Sequence, residues 1–430
     1  MIIQSILAML AGDILKKYKP DVIGITGSVG KSSTKEAVYA ALHSHFSVWR
    51  GQKSYNNELG VPLTIIGADT QGRSILGWLG VISKAIRLIL VRDANYPTVL
   101  ILELGADYPG NIASLVKMAP CRIGVITAVG PTHLEQLGTV ENVLNEKMTL
   151  VRSLRGDNTF AIVNADDVLV ANAAKDLKGR VLRFGIHNDS DLYARRIKQF
   201  ARFMPGNNDV QFGIECEVVY GTSVEKIFFP GLVGVHQLYS VLAGFAVGIA
   251  KGLNLDQMAG AYEDYKSPNG RMKLIDGIKK TLLIDDTYNA SPKAVMAGLD
   301  ALLSFEIEKD ARRIAVLGAM AELGTESEVL HRQVGEYVVG KADILIVVGD
   351  KAKKIAEGAE QKGLDKSKIM CFTSTQDAGL KLQELLKTGD VVLIKGSQSA
   401  RMERVVKEVM AQPERASELL VRQTGEWAGK

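Results

Sequence analysis

The stretch GITGSVGKSS, residues 24–33, concentrates residue types suited to holding phosphate. Gly24, Gly27 and Gly30 lead into Lys31, Ser32 and Ser33, with Ser28 inside the loop. Glycine permits the dihedral angles of a tight loop and lets backbone approach a ligand closely. Consecutive N–H groups and the N-terminus of a following helix then face an anion. Lys31 can neutralise the outer phosphates of a nucleotide, and the Ser32 hydroxyl can ligate Mg²⁺. The strict phosphate-loop pattern asks for glycine at position 25, where Ile25 stands, so the loop is a variant.

Further polar residues end apolar runs. Glu103 closes TVLILELG, residues 98–105. A carboxylate at the carboxyl end of a buried parallel strand faces the crevice where α/β sheets bind ligands, and beside a phosphate loop it suits Mg²⁺. His133 follows the run RIGVITAVG at the equivalent end of the next strand. Lys147, in VENVLNEKMTLVRSL, reads by pattern alone as a solvated helix lysine. Three more polar clusters stand at predicted strand ends: DDTYNASP (285–292), GAMAELG (318–324) and KGSQSARME (395–403). Clefts between α/β units are standard small-molecule sites. Each cluster also serves as turn chemistry, with Ser291 suited to an N-cap and Pro292 to a first helical position.

The elements that must position these groups alternate. DVIGITGS, TVLILELG, RIGVITAVG and FAIVNADD read as strands, and 32–46 has helical periodicity, which predicts an α/β fold with a mostly parallel sheet. From about 180 to 230 shorter, more polar segments predict a small antiparallel β subregion, followed by a helix over 236–252. A second α/β series begins near 275 with TLLIDD, RIAVLG, DILIVVG and VVLIKG. KSPNGRM, 266–272, reads as the hinge. The predicted organisation is an amphipathic helix over 1–20, a phosphate-loop domain over 21–268 and a Rossmann-like α/β domain over 269–430.

Composition narrows the classes. Of 430 residues 47% are hydrophobic, which excludes disorder as the main state. Lys+Arg 52 against Asp+Glu 48 leaves +4, too small an excess to argue for nucleic acid. Cys121, Cys216 and Cys371 are scattered without metal-ligand spacing, which fits a reducing compartment. The apolar start lacks the basic region of a signal peptide, and the chain reads as cytoplasmic. GWLGVISKAIRLILV, 77–91, carries Lys84 and Arg87 and is too short and charged to span a bilayer. It either packs on the protein, the favoured reading, or lies on a membrane surface.

Together the motifs TGSVGKSSTKE, SYNNELGVPLT, LELGAD, HLEQLG followed by Lys147, VNADD, NGRM, DDTYNASP, LGAMAELG and KGSQSARMERV resemble the Mur ligase superfamily. The last four favour the branch that adds D-alanyl-D-alanine to a UDP-N-acetylmuramoyl tripeptide in peptidoglycan precursor synthesis. The resemblance implies an ATP-dependent, ADP-forming amide ligase acting as a monomer. A carboxylate attacks the γ-phosphate of ATP to form an acyl phosphate, which an amine then captures. It implies that Lys31 and Ser32 hold ATP phosphates and Mg²⁺, and that Glu103 and His133 ligate the metal. Lys147 matches the lysine that is carbamylated in the family; a carbamate offers anionic oxygens where an ammonium would repel a cation. Asp286 and Asn289 would contact the nucleotide, Arg271 its phosphates after closure, and His236 and Gln237 the adenine side. Asn56 and Asn57 match a loop near the acceptor, and Lys395 and Ser397 lie toward the amine.

Departures temper the substrate. The family carries a UDP-sugar-gripping domain ahead of the phosphate loop; here the loop starts at Gly24, so that domain is expected to be lacking, with 69–97 as a source of replacement contacts. Ser240 and Thr149 replace residues common in the family, which touches nucleotide preference. Two alternatives follow: a Mur-like ligase on a non-UDP carboxylate, and a regulatory nucleotide switch. DYPG, 107–110, formally matches a D-x-x-G switch, but no N-K-x-D motif accompanies it.

Overall fold

Short β-branched runs punctuated by glycine and separated by helical stretches build two sheets. The computed structural model describes residues 2–51, 55–186, 189–203, 212–263 and 265–423. Ser54, which opens the SYNNELGVPLT motif, and residues 187–188 and 204–211 of the expected antiparallel stretch lie outside them. The chain divides into two compact units, Met1–Arg196 with Cys216–Ile227 and Leu238–Tyr265, and Ile197–Glu215 with Phe228–Gln237 and Lys266–Lys430.

The first sheet comprises β1 (Asp21–Thr26), β2 (Val48–Arg50), β3 (Val99–Glu103), β4 (Ile123–Ile126), β5 (Phe160–Asn164), β6 (Arg180–Gly185), β7 (Leu192–Phe200), β8 (Gly213–Tyr220) and β9 (Ser223–Pro230). Its order is β2-β3-β1-β4-β5-β6-β7-β8-β9. β1 pairs in parallel with β3 on one side and β4 on the other, with Ile25 level with Glu103 and Thr26 level with Ile126. The chain therefore reverses its direction of travel across the sheet around β1. Open α/β sheets bind ligands at such a reversal, outside the carboxyl ends of the strands. The phosphate loop, Glu103 and His133 follow the three strands that flank it.

The region after residue 180 differs in detail from expectation. β6 extends the parallel sheet, with Phe160 opposite Arg180, and only the later strands form a hairpin, β8 and β9 joined by Gly221 and Thr222. Segments 197–215 and 228–237, inside the span read as one domain over 21–268, group with the second unit. The aromatic chemistry explains this: Phe203 and Phe212 pack together, and Phe212 packs on Phe305, whose ring is buried in that unit's core.

The second sheet contains β10 (Lys273–Gly277), β11 (Thr281–Asp286), β12 (Arg313–Gly318), β13 (Ile344–Val348), β14 (Ile369–Phe372) and β15 (Val391–Lys395), in the order β10-β11-β15-β12-β13-β14. β10 is antiparallel to β11, and the other pairings are parallel. Leu282, Ile284, Ala315, Leu317 and Leu393 feed one core, whereas Leu283, Ile314, Val316, Val392 and Ile394 feed another. Both faces are thus covered, as a parallel sheet requires. The register places Asp286 opposite Lys395 at the carboxyl ends of β11 and β15.

Candidate nucleotide and metal site

In the first unit the loop after β1 is shaped by close backbone approach. Gly27 has φ 152° and Gly30 φ 84°. A methyl group on Gly27 would lie 1.9 Å from Thr127 Oγ1, so only glycine fits there. Residues after β4 hold the loop: Thr127 Oγ1 donates to Val29 O at 2.6 Å, Ser28 N–H to Ala128 O at 2.7 Å, and Thr132 Oγ1 to Ser28 Oγ at 2.9 Å. The helix Lys31–Leu42 starts directly after Gly30, with Ser32 and Ser33 buried in its first turn. Lys31 Nζ donates to Gly27 O at 2.7 Å, which places the ammonium over the loop.

Ser32 and Glu103 meet. Ser32 Oγ lies 3.2 Å from each carboxylate oxygen of Glu103, and both residues are buried. Lys35, one turn beyond Lys31, reaches within 4.0 Å of Glu103 Oε2 and donates to Gly51 O at 2.6 Å. No role was read for Lys35 in the sequence; its spacing from Lys31, one helical turn, is the signal that could have found it.

His133 adopts φ 55° at the entry to the short helix Leu134–Leu137, with Nδ1 3.5 Å from Asp107 Oδ1. A left-handed histidine is uncommon and is held by its surroundings. Asp107 closes the LELGAD motif and opens the formal switch motif, but neither pattern marks it as a partner for His133. The glycine of that motif, Gly110, donates its N–H to Glu146 Oε2 at 2.9 Å, and Ile112 N–H reaches Glu146 Oε1 at 2.7 Å. The stretch is therefore a helix entry capped by a carboxylate from Val140–Arg152.

Lys147, next to that carboxylate, is fully buried, which its sequence pattern did not suggest. Its Nζ has no hydrogen-bond partner among the described residues. Burial, then repulsion from Lys31, pushes its pKa down to about 7, against the pull of Glu146 and Asp107. Near neutral pH much of it is the free amine, the form that can react with carbon dioxide.

Of the metal ligands expected from the sequence, Ser32 meets Glu103, His133 instead faces Asp107, which is outside that set, and Lys147 feels Lys31, Glu146 and Asp107. Among the described residues no group of three or more His, Cys, Asp or Glu side chains is placed to hold a metal. Mg²⁺ is commonly held by one or two carboxylates together with substrate phosphates. A hydroxyl and a carboxylate meeting beside a glycine loop fit that demand.

Asn56 and Asn57 are set by this same strand end. Gly105 N–H donates to Asn56 O at 2.7 Å, while Asn57 Oδ1 accepts from Gly60 N–H at 2.9 Å and helps start the helix Gly60–Ile66. Ser240, at the start of Leu238–Ala250, lies 3.4 Å from Thr34 Oγ1.

In the second unit the central feature is a buried ion pair. Lys395 Nζ donates to Asp286 Oδ2 at 2.6 Å and to Asn289 O at 2.9 Å. Burial lowers the Lys395 pKa, and Asp286 opposes that shift. Asn289 is exposed, and its Oδ1 accepts from Ala290 N–H at 2.9 Å. Arg271 stacks over Tyr288, 4.0 Å from the ring centroid, and Gln237 Nε2 stands 3.5 Å from Arg271 O. His236 is lowered in pKa, first by loss of water, with Asp286 pulling against it. Ser397 is buried; its Oγ contacts Ser399 Oγ at 3.2 Å, and its N–H donates to Ala319 O at 3.0 Å. Ser291 occupies the N-cap of Pro292–Leu303 without making a side-chain cap bond.

A residue no motif pointed to organises the 318–324 loop. His331 Nε2 accepts from Met320 N–H at 3.0 Å, and its Nδ1 faces Ser327 O at 2.6 Å. That assigns the neutral tautomer with the proton on Nδ1.

Known proteins are similar to this chain over most of its length. Residues 84–248 match the Mur ligase middle domain, and residues 270–398 match the Mur ligase, glutamate ligase domain. A UDP-N-acetylmuramoyl-tripeptide--D-alanyl-D-alanine ligase of Mycobacterium tuberculosis is 31% identical over 414 residues, 91% of this chain and 73% of that protein. The chain belongs to the Mur ligase family. A ligase of the same name from Bacillus subtilis is 27% identical over 408 residues, 95% of this chain and 79% of its own. The crystal structure of the MurF ligase of Thermotoga maritima in complex with ADP superposes with a TM-score of 0.75 at 28% identity, covering 94% of this chain and 83% of that one. In this Mur ligase, Glu103, His133 and Lys147 fall within the middle-domain match. Arg271, Asp286, Asn289, Lys395 and Ser397 fall within the second. The phosphate loop precedes the matched spans.

Proposed function

We propose that this Mur ligase joins a carboxylate to an amine with conversion of ATP to ADP and phosphate. Its acceptor is the UDP-N-acetylmuramoyl tripeptide, and its amine is D-alanyl-D-alanine. The meeting of Ser32 with Glu103, directly beside the glycine loop, carries the ATP reading. The named relatives, matched over most of their length, support the substrates.

The carboxylate oxygen attacks the γ-phosphorus, and the bond from that phosphorus to the β-phosphate oxygen breaks, releasing ADP. The amine nitrogen then attacks the acyl carbon. The resulting oxyanion collapses, phosphate leaves, and the nitrogen loses a proton. Such phosphoryl transfer needs charge neutralisation and in-line positioning more than covalent help. Lys31 and the loop N–H groups neutralise the triphosphate. Ser32, Glu103 and His133, with Asp107 beside His133, would hold Mg²⁺, and the metal would supply neutralisation of phosphate charge. Lys147 acts as its carbamate: the free amine adds to carbon dioxide, an N–C bond forms and a proton leaves, which turns a repelling cation into an anion. His236 and Gln237 serve the adenine side, while Asp286 and Asn289, from the span 269–430, contact the nucleotide and Arg271 its phosphates. Asn56 and Asn57 face the acceptor, and Lys395 and Ser397 the amine.

The test is phosphate release with both substrates and ATP, with mass spectrometry of the product. The expected result is a tripeptide product heavier by one D-alanyl-D-alanine less water. Failure with this pair, alongside release with another carboxylate, would overturn the acceptor and keep the chemistry. No ATP turnover with any pair would overturn both.

A further inference from the structure

We propose that the outer face of the helix Ile75–Leu90 docks this protein on an anionic lipid surface. The inner face is ordinary core: Val81, Ala85 and Leu88 are buried, and Trp78, Ile82 and Ile89 pack beside them. The helix is anchored at its carboxyl end, where Lys17 Nζ donates to Leu88 O at 2.9 Å and Ile89 O at 2.8 Å, and Tyr18 OH to Leu88 O at 3.0 Å. It is a fixed part of the first unit.

The outer face is apolar as well. Leu76 is 81% exposed, Ile75 77% and Leu90 76%, with Leu79 and Ile86 also exposed on the helix and Val91 exposed just beyond its end. Single exposed apolar side chains are ordinary, but these recur at helical spacing along one element and form a stripe. Its charge is one-sided. Arg73, Lys84, Arg87 and Arg92 lie between Asp69 and Asp93, with no acidic residue in 70–92.

An apolar stripe bordered by arginine and lysine is the composition of a helix lying in a lipid interface. The apolar side chains enter the headgroup boundary while the cations remain at the phosphates. The same charges argue against a second copy as occupant. A two-fold interface sets a patch against itself, which would bring these cations together. Among the described residues no helix is long and apolar enough to cross a membrane, so the geometry is one of lying on the surface. This inference is independent of the ligase reading.

The experiment is co-sedimentation of the full chain with phosphatidylcholine vesicles, with and without about 30% phosphatidylglycerol. The bound fraction is expected to rise at least about five-fold with the anionic lipid and to fall as salt increases from roughly 0.1 M to roughly 0.5 M. The triple variant Leu76→Ser/Leu79→Ser/Leu90→Ser should lose binding to both vesicles. Arg87→Gln/Arg92→Gln should lose the salt-sensitive part. These positions lie on solvent, so an unchanged thermal unfolding midpoint checks that each variant is folded. Absence of vesicle binding by the parent chain, or equal binding by the triple variant, would overturn the proposal. So would sedimentation as a dimer that the triple variant abolishes.

Discussion

Ser32 Oγ and the two carboxylate oxygens of Glu103 are 3.2 Å apart although 71 residues separate them in the chain. The pairing follows from register. Glu103 sits level with Ile25 in the parallel pair β1–β3, so the end of β3 lies alongside the residues that open the glycine loop. Glu103→Gln keeps the shape and a hydrogen-bond acceptor for Ser32 but removes the charge. Loss of one preorganised electrostatic partner in such a site lowers turnover by about 10²–10³. Phosphate release at saturating ATP should fall on that scale, and the Mg²⁺ concentration for half-activity should rise. An unchanged Mg²⁺ dependence would remove Glu103 from the metal site.

Gly27 makes a sharper steric prediction. Its backbone lies at φ 152°, and an added methyl would meet Thr127 Oγ1 at 1.9 Å. Thr127 also holds Val29 O, so the threonine has no free direction in which to yield. Gly27→Ala should abolish measurable ADP binding by calorimetry while the thermal transition of the protein shifts by only a few degrees. Retained ADP affinity would show that the loop tolerates a different path.

Much of this site is legible in the sequence because its logic is local. A strand, three glycines and Lys31–Ser32 specify the loop within ten residues, and Glu103 declares itself by ending an apolar run. Lys147 is the opposite case. Its neighbours Glu146 and Asn145 give the helix a polar texture, yet its side chain is wholly buried. Only packing of Val140–Arg152 on the sheet decides that. Asp107, Glu146 and His331 act through partners dozens of residues away or through backbone N–H groups, which no pattern encodes. The strands β2, β10 and β14 lack such a signal: all three are edge strands without the continuous buried apolar run of the central ones.

Lys147 gives a pH signature separate from catalysis. Its pKa falls from 10.5 to about 7 on folding. Between those values the unfolded chain binds the proton more tightly than the folded one. The stability contribution is therefore present above 10.5 and lost as pH falls through about 7. One such group supplies a slope of up to about 1.4 kcal/mol per pH unit. In carbon-dioxide-free buffer, denaturant midpoints of the parent chain should rise from pH 7.5 to pH 9.5, roughly within that slope, and Lys147→Met should flatten the rise. For catalysis, Lys147→Ala should lose ligation; undiminished, bicarbonate-insensitive activity in that variant would sink the carbamate assignment.

Lys395 and Asp286 predict an asymmetry between single and double substitutions. Both are buried and 2.6 Å apart at adjacent strand ends. Removing Asp286 leaves an ammonium with only Asn289 O, and a buried charge deprived of its partner costs about 3–5 kcal/mol. Asp286→Ala should therefore destabilise the second unit far more than the pair Asp286→Leu/Lys395→Met, which removes both charges. Urea unfolding of the three proteins measures the difference. Equal loss in single and double variants would mean that the pair is held by something other than mutual charge.

His331 and Asp285 pull the acid stability of the second unit in opposite directions. Burial holds the His331 pKa below 6.5, and its neutral Nε2 is the acceptor for Met320 N–H. Protonation would turn that acceptor into a donor facing a donor. Its stabilising contribution is present above pH 6.5 and is lost as pH falls through the lowered folded value. Asp285 is buried, and its pKa rises from 3.8 to about 6 despite hydrogen bonds from Thr287 and Gly270. Its contribution has the other sign, complete below 3.8 and lost as pH rises through about 6. The two effects offset each other in the parent chain between the lowered His331 value and about pH 6, and separate in variants. Asp285→Asn, which keeps the shape, should make the protein more sensitive to acid over this window. His331→Gln, which keeps an acceptor for Met320, should make it less so. Midpoints of thermal unfolding at several pH values read both slopes, and movement of the two variants in the same direction would contradict the assignment of either group.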